Sequence, residues 1–500
     1  MIAREPISGS RDRFFRILLP GFAAGILAGI ASMRFLALPP TLILGGLLVA
    51  GGGLAAVAYR KAGTAVLSLL IASLIINIDK TFFLNPDHSG GAKGLILAFW
   101  NIVLLGFMAL RPTAFPGIRS GRQGPPMWAW VSLLLLFVFS AFSLTQAFSP
   151  RLGLYQLLEL SKALLLFFVL ADAFRDRGAV TTALSVLLIV FLFELAVGTI
   201  QYTLNRDVHL GILTNATTNS VRRIGDRSMI SVSGTLDGSD RFSSYLLMML
   251  LLFMGWWSSL KRAIPRLLLL AAVLAGTMLL VFTFSRGGWI GFAGGLLVFA
   301  LLHWRIAENR SRALFRGLIV LAVISTVLWA LRDFILLRFT GEDYGSAQSR
   351  IPMMQIALGM IREFPWLGVG LNNYTLSMAP FDPTGLTLEF FHPVHNVYLQ
   401  LAAEIGLPGL AAFLAFIAGL YIRTLSSLSS PLPDRSKQLL IGCISGVTGL
   451  LIHHTVNNAT IDSEAFLVFW IFAAAIIALS GRPETQASTH GGEGGRIGLR

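Results

Sequence analysis

Met127-Trp-Ala-Trp-Val-Ser-Leu-Leu-Leu-Leu-Phe-Val-Phe-Ser-Ala-Phe-Ser-Leu-Thr-Gln-Ala147 runs for 21 residues without one charged side chain. A helix of that length covers about 30 Å, the thickness of a bilayer's hydrocarbon core. The stretch is continuously apolar rather than alternating, which excludes a membrane β-barrel strand. Working outward from it, comparable runs fall at 19–37, 41–59, 62–79, 94–110, 153–173, 180–202, 243–258, 266–284, 287–304, 313–331, 396–423, 437–456 and 462–480. The pattern predicts an all-α, polytopic integral membrane protein with about 12–14 transmembrane helices.

Composition agrees. The chain is 55% hydrophobic and 13% charged, with a mean hydropathy of +0.73, whereas soluble domains carry roughly 25% charged residues. Its net charge is nevertheless +14. On a soluble protein that excess would suggest nucleic acid. On a membrane chain two other causes come first, the positive-inside bias and an anionic substrate, and no nucleic-acid partner is expected.

Sorting the 39 Lys and Arg by loop separates these causes. With the N-terminus inside, inner segments hold 24 and short outer loops only four. Short loops set orientation, so both termini are expected in the cytoplasm. Nine more basic residues sit in two long outer loops, 203–242 and 332–395. Long loops escape the orientation rule, and their arginines need another reason to be there.

The expected organisation is a single transmembrane domain over 1–480, with a disordered Gly/Ser/Thr-rich cytoplasmic tail at 481–500. The first apolar run follows Arg4, Arg11, Arg13 and Arg16 without a small-residue cleavage pattern, and reads as a first span rather than a signal peptide. Cys443 is the sole cysteine, which excludes an intramolecular disulfide or a cysteine zinc site. No internal repeat suggests an inverted-repeat transporter. Within the second long loop, Ile351, Met354, Leu358 and Ile361 share one helical face, predicting an amphipathic helix on the membrane surface or over a cavity.

Three segments carry candidate chemistry. In Phe284-Ser-Arg286-Gly-Gly-Trp-Ile-Gly291 an arginine stands between two apolar runs, among small residues that permit close approach. It reads as facing a cavity or partner, or as snorkelling to lipid headgroups. In His392-Pro-Val-His395-Asn396-Val-Tyr-Leu-Gln-Leu-Ala-Ala-Glu404-Ile-Gly-Leu-Pro-Gly, His395 stands at a helix entry where an imidazole suits proton abstraction. Asn396 reads equally as an N-cap. In Pro365-Trp-Leu-Gly368-Val-Gly370-Leu-Asn372-Asn373-Tyr374, close glycines either present N–H groups to an anion or form a plain turn. It is neither a P-loop nor a dinucleotide fingerprint.

In that order and spacing, the segments resemble the O-antigen ligase / O-antigen polymerase superfamily of bacterial membrane glycosyltransferases. The resemblance covers roughly residues 220–420. It implies a GT-C-like fold and a multi-pass protein of the inner membrane with its active site on the periplasmic face. The donor it implies is a glycan on polyprenyl (undecaprenyl-type) pyrophosphate, and the acceptor a lipid- or glycan-linked hydroxyl. The family's outer-face arginine maps to Arg286 and its loop histidine to His395. A further family arginine precedes a Gly-Thr-Phe-type segment, here Gly234-Thr235-Leu236. Arg227 lies seven positions upstream of Gly234 and Arg241 seven downstream, Arg227 being the first choice. Where relatives often read Asn-Pro-Asn, this chain reads Gly238-Ser-Asp240-Arg241.

The implied chemistry fits these residue types. Arginines make bidentate hydrogen bonds to pyrophosphate oxygens and stabilise a departing anion. Arg286, Arg227, Arg241 and Arg350 are the candidate pyrophosphate ligands, Arg286 also being catalytic. His395 is the candidate general base on the acceptor hydroxyl, and direct displacement would invert the anomeric centre. The resemblance implies a metal-independent enzyme without a cofactor; Asp237 and Asp240 read as turn residues. An O-antigen ligase transfers a finished glycan to the lipid A-core of lipopolysaccharide. An O-antigen or exopolysaccharide polymerase joins lipid-linked repeat units instead. Outside the enzymes, the rival is a lipid-linked glycan flippase, which the one-sided placement of charge disfavours.

Two sets of polar residues within the apolar runs complete the expectations. Glu159 and Lys162, one turn apart, read as an internal ion pair that Glu194 joins. His453 and His454 read either as lining an acceptor cavity or as helix-end packing.

Overall fold

The computed structural model describes residues 62–75, 78–114, 124–206, 221–224, 227–307, 350–385, 391–457 and 464–481, with single positions between them. The expected spans 19–37 and 41–59, nearly all of 313–331, and the tail from 482 lie outside the described residues, as do the side chains of Arg222, Arg223 and Arg227. The chain divides into two units, Met1–Ala65 and Val66–Arg500, and the description concerns the second.

After α1 (Ala62–Ser73), strands β1 (Asp79–Phe82) and β2 (Leu95–Ala98) form an antiparallel hairpin with Asp79 opposite Ala98. The expected spans 62–79 and 94–110 therefore each yield their outer residues to a small sheet. Asn101 Oδ1 accepts the Ala98 N–H at 2.9 Å, closing the strand as α2 (Phe99–Ala114) begins.

Helices α3 (Met127–Ser143), α4 (Pro150–Ala173) and α5 (Arg177–Leu204) follow, then a second hairpin of β3 (Val221–Ile224) and β4 (Arg227–Ile230). Pro150 opens α4 where its missing N–H costs nothing, and Asp176 caps α5 through the Ala179 N–H at 2.7 Å. Next come α6 (Ser239–Ser259), α7 (Ala263–Phe282), α8 (Arg286–Ile306), α9 (Arg350–Glu363), α10 (Val397–Leu428), α11 (Asp434–His453) and α12 (Glu464–Leu479).

Among the described residues, seven helices are long and apolar enough to cross a membrane: α3 with its Leu144–Gln146 extension, α4, α5, α6, α7, α8 and α10. Gly63–Ser73, Phe99–Ala109 and Phe466–Leu479 are shorter apolar helices. The protein is a polytopic, all-α membrane protein.

Its centre is α6, in which every residue from Phe242 to Gly255 is buried. Helices α7, α8, α11 and α12 pack around it. Along α11, small residues let backbones meet, as membrane helices do when dispersion rather than the hydrophobic effect drives association. A Cβ on Gly291 of α8 would stand 2.5 Å from the Gly449 carbonyl oxygen, and one on Gly449 would stand 2.9 Å from that of Gly291.

Helix α10 is broken. Gly406 adopts φ +74° and Pro408 follows it. Proline has no N–H to give the carbonyl four residues back, so Glu404 O loses its helical donor. Leu407 turns its own N–H to Pro365 O at 2.8 Å, which leaves Ala403 O without its donor too. Val369 N and Gly370 N fill both positions, at 2.8 and 3.0 Å.

Candidate functional site

Hydrogen bonds tie together the turns expected on the outer face. Val232 N donates to Phe282 O at 3.1 Å, Leu371 N to Ser143 Oγ at 3.0 Å and Ala92 N to Gln156 Oε1 at 2.6 Å. The first hairpin, the two long loops and the α7–α8 turn thus lie at one end of the bundle.

Arg286 opens α8, half-buried. The turn that delivers it is tight: buried Phe284 takes a left-handed φ of +54°, uncommon for a bulky side chain. Ser285 then caps α8 through the Gly288 N–H at 3.3 Å. Ser285 Oγ also meets His453 Nε2 at 3.4 Å, and the other ring nitrogen meets Ser244 Oγ of α6 at 2.9 Å. Gly287 has no side chain because His453 occupies the space, a Cβ there falling 2.6 Å from the ring.

His395 stands immediately before α10, half-buried. Asn396 does two things at once. Its Oδ1 caps α10 through Leu399 N at 3.0 Å, and its Nδ2 donates to Thr455 O at 3.0 Å. Val397 N donates to His454 O, also at 3.0 Å. The last carbonyls of a helix have no intrahelical donor, and here the start of α10 supplies two. The outer end of α11, His453 to Thr455, is therefore docked by the residue preceding Arg286 and by the two residues following His395.

The other candidates fall as follows. Arg350 begins α9, and its Nε is buried without a hydrogen-bond partner among the described residues. Arg350 and Asp240 both lie within electrostatic reach of His453. Arg241, on the first turn of α6, pairs with Asp237 at 3.4 Å, both partly exposed. Arg227 begins β4, its side chain outside the described residues. Among the described residues, no three His, Cys, Asp or Glu side chains group as a metal site requires.

The glycine-rich turn serves the broken helix. The N–H groups of Gly368, Val369, Gly370 and Leu371 bond Phe364 O, Ala403 O, Glu404 O and Ser143 Oγ. Of the two expectations for it, the turn holds and the anion cradle does not, because these donors are consumed within the protein.

Helix α9 has a second apolar face that its spacing did not single out. Met353, Ile356, Ala357 and Met360 are buried, against Tyr374, Met378, Val394 and Ala403, whereas Ile351, Met354 and Leu358 of the expected face are exposed. An exposed apolar face is what contact with a membrane surface requires.

Gly234-Thr235 is held from α5, a tie that composition did not signal. Gln201 Oε1 accepts from Ser233 N and Gly234 N at 3.1 and 2.9 Å, and its Nε2 donates to Gly234 O at 2.8 Å. Fully buried Glu194 accepts the Thr235 N–H at 2.9 Å and the Thr235 hydroxyl. Glu159 and Lys162 form the expected pair at 2.5 Å, while Glu194 anchors the first outer loop.

The first hairpin also reaches the long loop. His88 Nε2 meets Asn372 Oδ1 at 2.9 Å, and Ser89 Oγ donates to Phe391 O. Burial holds His392 below its ordinary value of 6.5, with Lys93 adding to the effect. Burial also lowers His88; the Asn372 bond opposes this and Lys93 reinforces it.

Residues 270–414 match the family model described as O-Antigen ligase. Over these residues the chain is similar to that family. No curated protein matches the chain. The matched residues contain Arg286, Arg350 and His395, whereas α6 and α11, which supply Ser244 and His453, lie outside them. The match and the apolar helices support a membrane protein with a ligase- or polymerase-like glycosyltransferase role.

Proposed function

We propose that the protein transfers an oligo- or polysaccharide from a polyprenyl-pyrophosphate donor to an acceptor hydroxyl, with inversion, at the periplasmic face of the inner membrane. The observation that carries this reading is the shared docking of the Arg286 and His395 segments on His453–Thr455. It brings a cation suited to a pyrophosphate and a base suited to a hydroxyl to one helix end.

In this reading Arg286 binds the pyrophosphate and stabilises the charge that develops as the glycosidic bond breaks. Arg350, with a buried donor left over, adds a second cation, and Arg227 and Arg241 approach from the first long loop. His395 takes the acceptor proton as the new bond forms. The products are the glycosylated acceptor and polyprenyl pyrophosphate. No metal or cofactor takes part.

The acceptor separates a ligase from a polymerase, and the ligase reading is supported by the description of the matched family. The test supplies purified protein in lipid nanodiscs with a polyprenyl-pyrophosphate glycan and two competing acceptors, a lipid A-core and a second lipid-linked repeat unit. Transfer to lipid A-core is expected. Elongation of the lipid-linked unit assigns a polymerase, and movement of the donor across the bilayer without transfer assigns a flippase. The same assay with EDTA is expected to proceed unchanged, whereas strict dependence on Mg²⁺ or Mn²⁺ overturns the metal-free mechanism.

A further inference from the structure

A chain of hydrogen bonds runs through His453. Ser244 Oγ lies 3.1 Å from Asp240 O and 2.9 Å from His453 Nδ1. A neutral imidazole has one donor and one acceptor, and the two serine hydroxyls can serve both. Ser285 Oγ accepts the Gly288 N–H and meets Nε2. The chain of bonds runs from Asp240 O in the first turn of α6, through α11, to the first turn of α8, with every member satisfied.

His453 is buried and has little freedom to move. Ser243, Ser244, Ser285 and Gly288 around it are buried too; Gly287 packs against its ring and Gly291 against its Cβ. Arg286 lies between Ser285, which bonds the ring, and Gly287, which touches it. We propose that His453 is a positioning residue: through Ser285 it fixes the first turn of α8 against α6 and so aims Arg286 at the leaving group. The assignment rests on the role of Arg286 proposed above. It places a determinant of the reaction on α11, beyond the residues matched to the ligase domain.

Misplacing a catalytic group by about 1 Å costs up to about 10²-fold in rate. His453→Ala is therefore expected to lower kcat by about 10²-fold, with a smaller rise in KM for the lipid-linked donor. His453→Gln, which keeps a donor and an acceptor, is expected to recover part of the loss. Ser285→Ala tests the same link with a smaller change, and Ser285→Thr, retaining the hydroxyl, should restore activity. The deciding measurement combines His453→Ala with Arg286→Lys. If His453 acts through Arg286, the double variant is no slower than the slower single one.

Independent, multiplicative losses overturn the positioning role while leaving the role of Arg286 intact. Full activity in Arg286→Ala removes the underlying reading instead. Should His453→Ala fail to accumulate in the membrane, the Ser285→Ala and Arg286→Lys pair decides the same question: additive losses reject the proposal, and a shared loss supports it.

Discussion

Val369 donates its backbone N–H to the carbonyl of Ala403 at 2.8 Å. The bond joins the glycine-rich turn of the second long loop to the Gly-Leu-Pro break of α10. The glycine-rich turn and the Ala-Glu-Ile-Gly-Leu-Pro segment are two halves of one joint. A helix broken inside a membrane protein must re-satisfy the backbone groups it frees, and here Gly368–Gly370 does so.

The break depends on Gly406. Its φ of +74° belongs to glycine, and a Cβ would run into the Trp366 carbonyl. Gly406→Ala is expected to destabilise the outer half of α10 by about 1–3 kcal/mol, seen as a lower thermal midpoint in detergent and faster hydrogen exchange over 365–374. An unchanged midpoint and exchange pattern would show that the joint tolerates a side chain.

Arg286→Ala is expected to reduce glycan transfer by about 10²–10³-fold, as removal of one transition-state donor does. His395→Ala should lose about 10²–10⁴-fold, the usual contribution of a general base. Both proteins should reach the membrane in normal amounts. Transfer at the parent rate by either one contradicts the mechanism.

Thr235→Val tests the clamp on the first long loop. It removes the hydroxyl that Glu194 accepts while keeping the shape and the Thr235 N–H. A hydrogen bond to a buried charged group contributes about 1.5–3 kcal/mol, and a loss of that size is expected in denaturant titrations of the detergent-solubilised protein. Thr235→Ser should recover most of it. Equal stability of all three would mean the hydroxyl bond adds nothing.

Acidification should loosen the first hairpin from the long loop. His88 and His392 both titrate below 6.5 in the folded protein. An unfolded histidine titrates near 6.5, so below that pH the opened state binds more protons and the closed state loses stability; above it the contribution is constant. Protection of the 85–94 amides, corrected for the intrinsic pH dependence of exchange, is expected to fall between about pH 7.5 and about pH 5.5. His88→Asn together with His392→Asn should flatten the change. A pH-independent protection factor in the parent would exclude it.

The membrane architecture was legible because long apolar runs have few alternatives, and α4, α5, α7 and α8 begin and end within a few residues of expectation. Leu95–Ala98 was not legible as a strand. Four apolar residues look the same in a strand and at the start of a helix, and only pairing with Asp79–Phe82 decides between them. In α9 the buried face of Met353, Ile356 and Met360 was not legible, because only packing against Tyr374 and Met378 reveals it. Arg286 and His395 stood out as polar residues at helix entries. The part played by His453 did not, because it depends on Ser244 and Ser285, 209 and 168 residues away in the chain.

The meeting of Gly291 and Gly449 has a consequence for leakage. Gly291 lies five residues past Arg286, about 7.5 Å deeper along α8 at 1.5 Å per residue. There the α8 and α11 backbones stand too close to admit a side chain, let alone a file of water molecules. On the proposed function, a lipid-linked donor held at Arg286 would therefore find no water path continuing between these two helices.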